Sequence, residues 1–254
     1  YRFSKGEGAD TIYDAGGQDR IEFTDVESTE VMVRREGDNL RITVPSTGDF
    51  VVIERQFDGT GTGVQSTSLE TVDFSDGISW TFNDLMNHAV AGTVGDDLIQ
   101  GFSQDETING GDGADEIYGH EGADTILGGA GDDELDGGDG EDSLAGGTGD
   151  DVLRGGEAAD TLQGGDGADM LHGGQDGDVL YGDAGTDELH GGSGNDELAG
   201  GADADVLYGD LGSDTLTGGT GDDVLHGGAG DDTLSGDAGD DILYGDGGSD
   251  TLSG

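Results

Sequence analysis

The chain has 254 residues, of which 59 are Asp or Glu and 8 are Lys or Arg, and its formal net charge at pH 7 is −51. This charge excludes ordinary nucleic-acid binding, because contacts of Lys and Arg with phosphates dominate that affinity. Cysteine is absent, and no apolar run reaches the roughly 18 residues that mark a membrane span. We therefore expect neither disulfides nor a membrane-spanning segment.

The start of the chain, 1–22, contains two nine-residue units, 5–13 (KGEGADTIY) and 14–22 (DAGGQDRIE). Both follow the pattern G-G-x-G-x-D-x-U-x, in which U is aliphatic, at positions four, six and eight, and depart from it at position one. Positions are numbered within this unit throughout, so that Asp10 and Asp19 occupy position six, and Ile12 and Ile21 occupy position eight. The pattern predicts that 1–22 forms the last coil of an upstream block of the same repeat.

Residues 23–91 differ in character, and residues 1–91 together hold seven of the eight basic residues. Alternating apolar residues predict strands near 31–35, 40–44, 50–55, 69–74 and 78–81. The turn sequence 36–39 predicts a hairpin between the first two. Thr81 and Asp84 form a candidate capping box for a short helix through His88. We interpret this segment as a small β-rich linker that caps one repeat block and starts the next.

From Gly92 to Ser253 the chain consists of 18 units of nine residues, without insertion or deletion. Position eight is Leu or Ile in every unit, and position six is Asp in every unit except one, which has Glu106. A period this strict is typical of a solenoid. In each unit positions seven to nine suit a three-residue strand whose middle side chain points inward, and the six glycine-rich residues suit a turn. Two units would complete one coil, giving two stacks of nine parallel strands.

The same stacking places the residues at position six in two acidic ladders. Like charges at strand spacing repel each other, so a cation must lie between them, and the only Lys or Arg in this region is Arg154. Carboxylates beside turn carbonyls are ligands that calcium prefers. One ladder holds Asp97, Asp115, Asp133, Asp151, Asp169, Asp187, Asp205, Asp223 and Asp241, and the other holds Glu106, Asp124, Asp142, Asp160, Asp178, Asp196, Asp214, Asp232 and Asp250.

Residues 92–253 resemble the RTX (repeats-in-toxin) family, whose nonapeptides form a calcium-loaded parallel β-roll. The resemblance implies an all-β fold: a right-handed parallel β-roll over 92–254, with two nonapeptides in each coil, preceded by the β-rich linker. It also implies that each Ca²⁺ lies between one loop and the loop two units later, which gives about 16 ions. Carried over, one site would use carbonyls and carboxylates of Gly129, Gly131, Asp133, Gly146, Thr148 and Asp151.

Some loops depart from the repeat. Position four is Gln104, Ala158, Asp176 or Asp203 instead of Gly, and we expect sites that use these loops or Glu106 to be empty or distorted. Asp10 and Asp19 would lack an upstream partner loop, so they are the weaker candidates as ligands.

The resemblance implies a calcium-binding structural module of a secreted bacterial protein. Such a module is exported unfolded by type I secretion machinery, folds on meeting extracellular calcium, and forms a rigid stalk outside the cell or at its surface. Two alternatives stay open: an adhesive or surface-layer binding module, and the accessory repeat region of an RTX enzyme or toxin. We expect no catalysis within this chain, since it lacks the H-E-x-x-H and G-x-S-x-G motifs.

Position nine of alternate units carries bulky rings, among them Tyr118, His172, His190, Tyr208, His226 and Tyr244. Aromatic residues favour exposed strand positions in any case. The alternative interpretation is that this Tyr/His face packs against a partner chain or a neighbouring RTX block.

Overall fold

The computed structural model describes residues 1–13, 20–36, 39–54 and 71–254, and divides the chain into two compact units, Tyr1–Ala91 and Gly92–Gly254. Asp19, a candidate ligand, lies outside the described residues. The second unit starts where the unbroken run of nine-residue repeats starts.

The described residues of the first unit form two four-stranded sheets. In each sheet, strands from 1–22 pair in parallel with strands from 23–91, and the pairs that include no strand from 1–22 are antiparallel. The two segments therefore share both sheets. One sheet has the order β1 (Arg2–Phe3), β3 (Arg20–Phe23), β7 (Thr71–Asp73) and β8 (Ser79–Thr81). The other has the order β2 (Ala9–Tyr13), β6 (Asp49–Glu54), β5 (Asn39–Val44) and β4 (Met32–Glu36). That 1–22 belongs to an upstream repeat block stays a prediction.

The predicted hairpin is present, since β4 pairs with β5 in antiparallel fashion and Glu36 lies opposite Asn39. In β5 the alternation expected from the sequence is realised, with Leu40, Ile42 and Val44 buried at no more than 3% exposure. A 3₁₀ helix, Ser28–Glu30, joins β3 to β4. The predicted strands near 50–55 and 69–74 correspond to β6 and β7. Residues 55 and 69–70 lie outside the described residues.

The short helix α1 spans Phe82–Ala89 and begins at the predicted capping box. The Asp84 amide donates to the Thr81 hydroxyl at 3.3 Å, and the Thr81 amide donates to an Asp84 carboxylate oxygen at 2.7 Å. Two of the orphan donors at the helix start are thereby satisfied. Among the described residues, no helix is long and apolar enough to cross a membrane.

The second unit is a parallel β-roll of two nine-stranded sheets, as predicted. Strands alternate between the sheets along the chain. One sheet contains β9 (Leu98–Gln100), β11 (Glu116–Glu121), β13 (Glu134–Asp139), β15 (Val152–Glu157), β17 (Met170–Gln175), β19 (Glu188–Ser193), β21 (Val206–Leu211), β23 (Val224–His226) and β25 (Ile242–Tyr244). The other contains β10 (Thr107–Asp112), β12 (Thr125–Ala130), β14 (Ser143–Thr148), β16 (Thr161–Asp166), β18 (Val179–Ala184), β20 (Glu197–Ala202), β22 (Thr215–Thr220), β24 (Thr233–Ala238) and β26 (Thr251–Ser253).

Each strand pairs with the strand two units away in sequence, so identical repeat positions lie side by side. Leu135, for example, pairs with Leu153. From Ile99 to Leu234 every aliphatic residue at position eight is at most 1% exposed, which confirms that this position forms the core. Leu252, in the last coil, is 47% exposed.

The expected strand length of three residues is wrong for most of the roll. Fourteen strands run for six residues, because the parallel ladder continues through positions one to three of the next unit. In β13, for example, Gly138 and Asp139 still pair with Gly156 and Glu157 of β15. The chain reverses at positions four to six, so the turn is shorter than the glycine content suggested.

Candidate metal centre

The aspartates at position six are the buried polar residues of the roll. Although a carboxylate is normally solvated, each of these side chains is at most 3% exposed. Burial of this kind requires a partner for the charge. The fourteen buried members are Asp115, Asp124, Asp133, Asp142, Asp151, Asp160, Asp169, Asp178, Asp187, Asp196, Asp205, Asp214, Asp223 and Asp232.

The two oxygens of each carboxylate have different surroundings. Oδ1 of Asp151 accepts the backbone N–H of Asp133 at 2.8 Å, and the same bond joins successive members of both ladders at each of the 16 junctions between coils. In thirteen of the fourteen, from Asp124 to Asp232, Oδ2 is buried and accepts no hydrogen bond from the protein. A buried acceptor without a donor is costly, so these oxygens fit a bound cation.

Position one must be glycine because of space beside Oδ2. A methyl group on Gly128 would lie 2.4 Å from Oδ2 of Asp133 and 2.7 Å from the carbonyl oxygen of Gly146. The same arrangement recurs at Gly146, where a methyl group would lie 2.3 Å from Oδ2 of Asp151. A carboxylate oxygen and a carbonyl oxygen of the next loop therefore border one small space, which only a residue without a side chain leaves open.

The six predicted ligands of one site lie on two adjacent loops. Besides Asp133 Oδ2 and the Gly146 carbonyl, the carbonyls of Gly129 and Gly131 face the next loop, each 2.2 Å from where a methyl group on Gly147 or Gly149 would stand. The carbonyl of Thr148 accepts the N–H of Gly131 at 2.8 Å. The structure brings these groups to one junction, while their assignment as calcium ligands stays a prediction.

Burial disfavours the charged form of these carboxylates. It is the main cause that raises the pKa of Asp151 and Asp160 to about 7, and that of Asp133 and Asp169 to about 6. The hydrogen bond that each Oδ1 accepts from the backbone opposes this rise, and neighbouring aspartates add to it. A divalent cation would remove the penalty by supplying the missing opposite charge.

The side chains alone do not form a metal site. Among the described residues, no three His, Asp or Glu side chains come together in an arrangement that could hold a metal ion. A bound ion would thus need backbone carbonyls to complete its shell. Carbonyls with one or two carboxylates suit calcium, whereas zinc sites use His and Cys. The residues present therefore fit calcium.

The ends of the ladders differ from the interior. Asp97, Asp241 and Asp250 are only half-buried, and the amide and hydroxyl of Thr93 both donate to Asp97 Oδ2, at 2.6 and 2.7 Å. Glu106 turns back on its own loop and accepts the N–H of Phe102 at 2.9 Å. Asp10 lies half-buried in β2 of the first unit.

Three of the four loops without glycine at position four keep a positive φ there, and Gln104 does not. Ala158, Asp176 and Asp203 have φ values of 79°, 67° and 74°, in the left-handed region that Gly131 occupies at 125° in an equivalent loop. Non-glycine residues adopt this conformation at a cost. That sites at these loops are empty or distorted stays a prediction.

Sequence reasoning assigned no role to position five. At eight junctions of the roll, a side-chain acceptor at this position accepts a backbone N–H of the next coil, as Oδ1 of Asp132 does from the N–H of Asp150 at 3.0 Å. The recurrence of Asp, Asn and Ser at position five was the available signal.

Comparison with protein families agrees with this geometry. The model of the RTX calcium-binding nonapeptide repeat (4 copies) matches residues 6–24 and, in overlapping matches, residues 90–252. The haemolysin-type calcium binding protein related domain matches residues 39–84. A search of curated proteins finds no match to the chain. The repeat matches cover well over half of the 254 residues, and the chain belongs to the family of proteins built from RTX calcium-binding nonapeptide repeats.

Proposed function

We propose that both aspartate ladders bind calcium between successive coils, about 16 ions in all, and that the roll folds only when these ions are bound. One observation carries this proposal: thirteen buried carboxylate oxygens, from Asp124 to Asp232, have no donor from the protein. Each would be a calcium ligand, together with carbonyls of its own loop and of the adjacent one.

The charge of the roll supports a cation at every junction. Residues 92–254 contain 42 Asp or Glu and a single Arg. Sixteen divalent ions, one at each junction, would neutralise about three quarters of this net charge. Without them, repulsion along both ladders opposes the compact state.

Calcium affinity in the range of extracellular sites would make folding a switch. Such sites have dissociation constants of about 10⁻⁴–10⁻³ M. At millimolar calcium each site would contribute about 0.4–1.4 kcal/mol by mass action. Summed over about 16 sites this is about 6–22 kcal/mol, comparable with the stability of a whole domain, about 5–15 kcal/mol. At cytosolic calcium the contribution vanishes, so the chain would stay unfolded inside the cell.

This switch fits a protein that leaves the cell unfolded and folds outside. We propose that the chain is secreted through type I secretion machinery and then acts as a rigid calcium-loaded support, outside the cell or at its surface. RTX repeats are typical of secreted proteins, which supports this proposal.

Circular dichroism of the 254-residue chain tests the folding switch. In EDTA we expect a largely coil spectrum, and in millimolar CaCl₂ we expect β structure that EDTA reverses. Magnesium at the same concentration is the control, because it prefers octahedral sites with several waters and should not replace calcium. A spectrum that is the same with calcium and with EDTA would contradict the proposal, as would full folding in magnesium.

A further inference from the structure

The junctions between coils are of two kinds. All 16 have the bond from the N–H at position six to Oδ1 of the next aspartate in the ladder. Half of them have a second bond in the opposite direction, from the N–H at position five of the later coil to a side chain at position five of the earlier coil. The acceptors of these second bonds are Asp96, Asp105, Asp132, Asp150, Asn195, Ser213, Asp222 and Asp231.

The two bonds act on adjacent residues. The side chain of Asp132 accepts the N–H of Asp150 at 3.0 Å, while the N–H of Asp133 donates to Asp151 Oδ1 at 2.8 Å. Together they fix both the backbone of the later loop and the side chain of its ladder aspartate. With only one of them, the carboxylate is held but the loop backbone is not.

Junctions with a single bond are concentrated in the middle of the roll. Between Ala158 and Ala204, a stretch that the structure describes throughout, no junction on either ladder has the second bond. The main cause is the sequence, because Ala159, Ala168 and Gly177 offer no side-chain acceptor. Non-glycine residues with positive φ at position four lie in the same stretch, namely Ala158, Asp176 and Asp203. Two independent features thus mark the loops of this stretch as the least firmly held.

We propose that the eight acceptors at position five are positioning residues for calcium, and that the junctions between residues 158 and 204, which lack the second bond, bind calcium last and lose it first. The inference rests on the proposed calcium binding and extends it to the order of the sites. A loop held by two bonds has its carbonyls in place before the ion arrives, so less freedom is lost on binding. A loop held by one bond must be ordered by the ion itself.

Replacing Asp132 tests the positioning role. Asp132→Ala removes the acceptor, and Asp132→Asn keeps Oδ1 while removing the same charge. Since one hydrogen bond is involved, we expect Asp132→Ala to raise the calcium concentration at the folding midpoint, with a roughly two- to tenfold higher ratio of unfolded to folded chain at fixed calcium, and Asp132→Asn to restore the wild-type values. Glu197→Ala is the control, because it removes one negative charge from an exposed strand position away from the loops. An Asp132→Asn midpoint as high as that of Asp132→Ala would overturn the proposal.

Amide hydrogen exchange measures directly whether the Asp150 amide is hydrogen-bonded to Asp132. In saturating calcium, the Asp150 amide should exchange faster in Asp132→Ala than in wild type, and at the wild-type rate in Asp132→Asn. In wild type, as calcium is lowered, amides between 158 and 204 should lose protection before those of 128–151. Uniform loss of protection along the roll would overturn the predicted order.

Adding the second bond where it is absent provides a test that does not depend on a destabilised variant. Ala159→Asn and Ala168→Asn place an acceptor opposite the amides of Gly177 and Thr186, and should lower the midpoint and delay the loss of protection in the middle stretch. If the calcium midpoint and the loss of protection both stay unchanged in these variants, the result would count against the proposal. If calorimetry of the wild-type chain shows no calcium binding, the proposed function itself fails, whereas exchange at Asp150 still reports whether the bond exists.

Discussion

The backbone N–H of Asp133 donates to Oδ1 of Asp151 at 2.8 Å, and Oδ2 of the same carboxylate is buried without a donor. One oxygen joins the coils and the other is left for a ligand. Because the relationship repeats at every interior junction, a single substitution in a ladder affects both the stacking of coils and the proposed calcium site.

Replacing a ladder aspartate by asparagine separates these two roles. Asp151→Asn retains an oxygen for the Asp133 amide but loses the charge, and Asp151 lies between two proposed sites, one with each adjacent loop. We expect the variant to bind about two fewer calcium ions than wild type, measured by calorimetric titration. Glu197→Gln, with the same loss of charge on an exposed strand, should bind the wild-type number. Unchanged stoichiometry in Asp151→Asn would show that this carboxylate is not a ligand.

Acidity should act in opposite directions with and without calcium. Burial raises the pKa of Asp151 to about 7, from an ordinary value near 3.8. Between these values the metal-free folded chain binds more protons than the unfolded chain, so its stability falls as pH rises and grows as pH falls. In EDTA we therefore expect more β structure at pH 5 than at pH 7.5 by circular dichroism.

Calcium competes with those protons for the same carboxylates. The calcium concentration needed for folding should accordingly be higher at pH 5.5 than at pH 7.5, and the difference should shrink in Asp151→Asn, which has one titrating ladder residue fewer. A midpoint that is independent of pH would contradict the assignment of the buried aspartates as ligands.

The glycine at position one should be intolerant of a side chain. In Gly137→Ala the methyl group would lie 2.3 Å from Oδ2 of Asp142 and 2.8 Å from the Gly155 carbonyl. We expect a loss of about 1–3 kcal/mol in the free energy of unfolding at fixed calcium, measured with urea. Gly254→Ala is the matched control, since Gly254 occupies the same repeat position but has no atom within 4 Å of the added methyl group. Equal stability of the two variants would be evidence against crowding at this position.

The rings on one face of the roll form a continuous stack. His172, His190, Tyr208, His226 and Tyr244 follow one another with centroids 4.5–5.1 Å apart and planes within 23° of parallel. Their flat faces are therefore occupied mainly by each other. The first members of the stack bridge coils in the stretch where the junctions have single bonds.

Removing a ring from this stack should destabilise the chain by itself. Tyr208→Ser breaks two ring contacts, each worth about 0.5–1.5 kcal/mol. Tyr181→Ser on the opposite sheet, where Tyr181 is 39% exposed and is not part of the ring stack, should cost less. Urea unfolding at fixed calcium gives this comparison. If Tyr208→Ser instead leaves the unfolding free energy unchanged and alters association measured by ultracentrifugation, the Tyr/His face is a partner surface.

The repeat predicted the core and the topology because the pattern within one unit already shows which residue points inward, and every unit repeats it. Leu135 and its equivalents are buried for the reason given by the pattern, and two sheets of nine strands follow from 18 units. The Thr81 capping box was equally local, since its two partners lie within one turn of the helix.

Features that depend on two coils at once could not be read from one repeat. The different roles of Oδ1 and Oδ2, the bond between Asp132 and Asp150, and the extension of strands into the glycines all require knowledge of the neighbouring coil. In the first unit, the pairing of β1 with β3, and of β3 with β7, joins segments that are distant in sequence, with no periodicity to indicate it.

Each strand of the roll has hydrogen-bonded neighbours only in the coils immediately before and after its own, and no coil bypasses the next. A pulling force along the stack would therefore load the junctions in series, as in a chain of links. The force at which the roll opens would be that of its weakest junction, whatever the number of coils, and calcium would set the mechanical strength of the protein by acting on that junction alone.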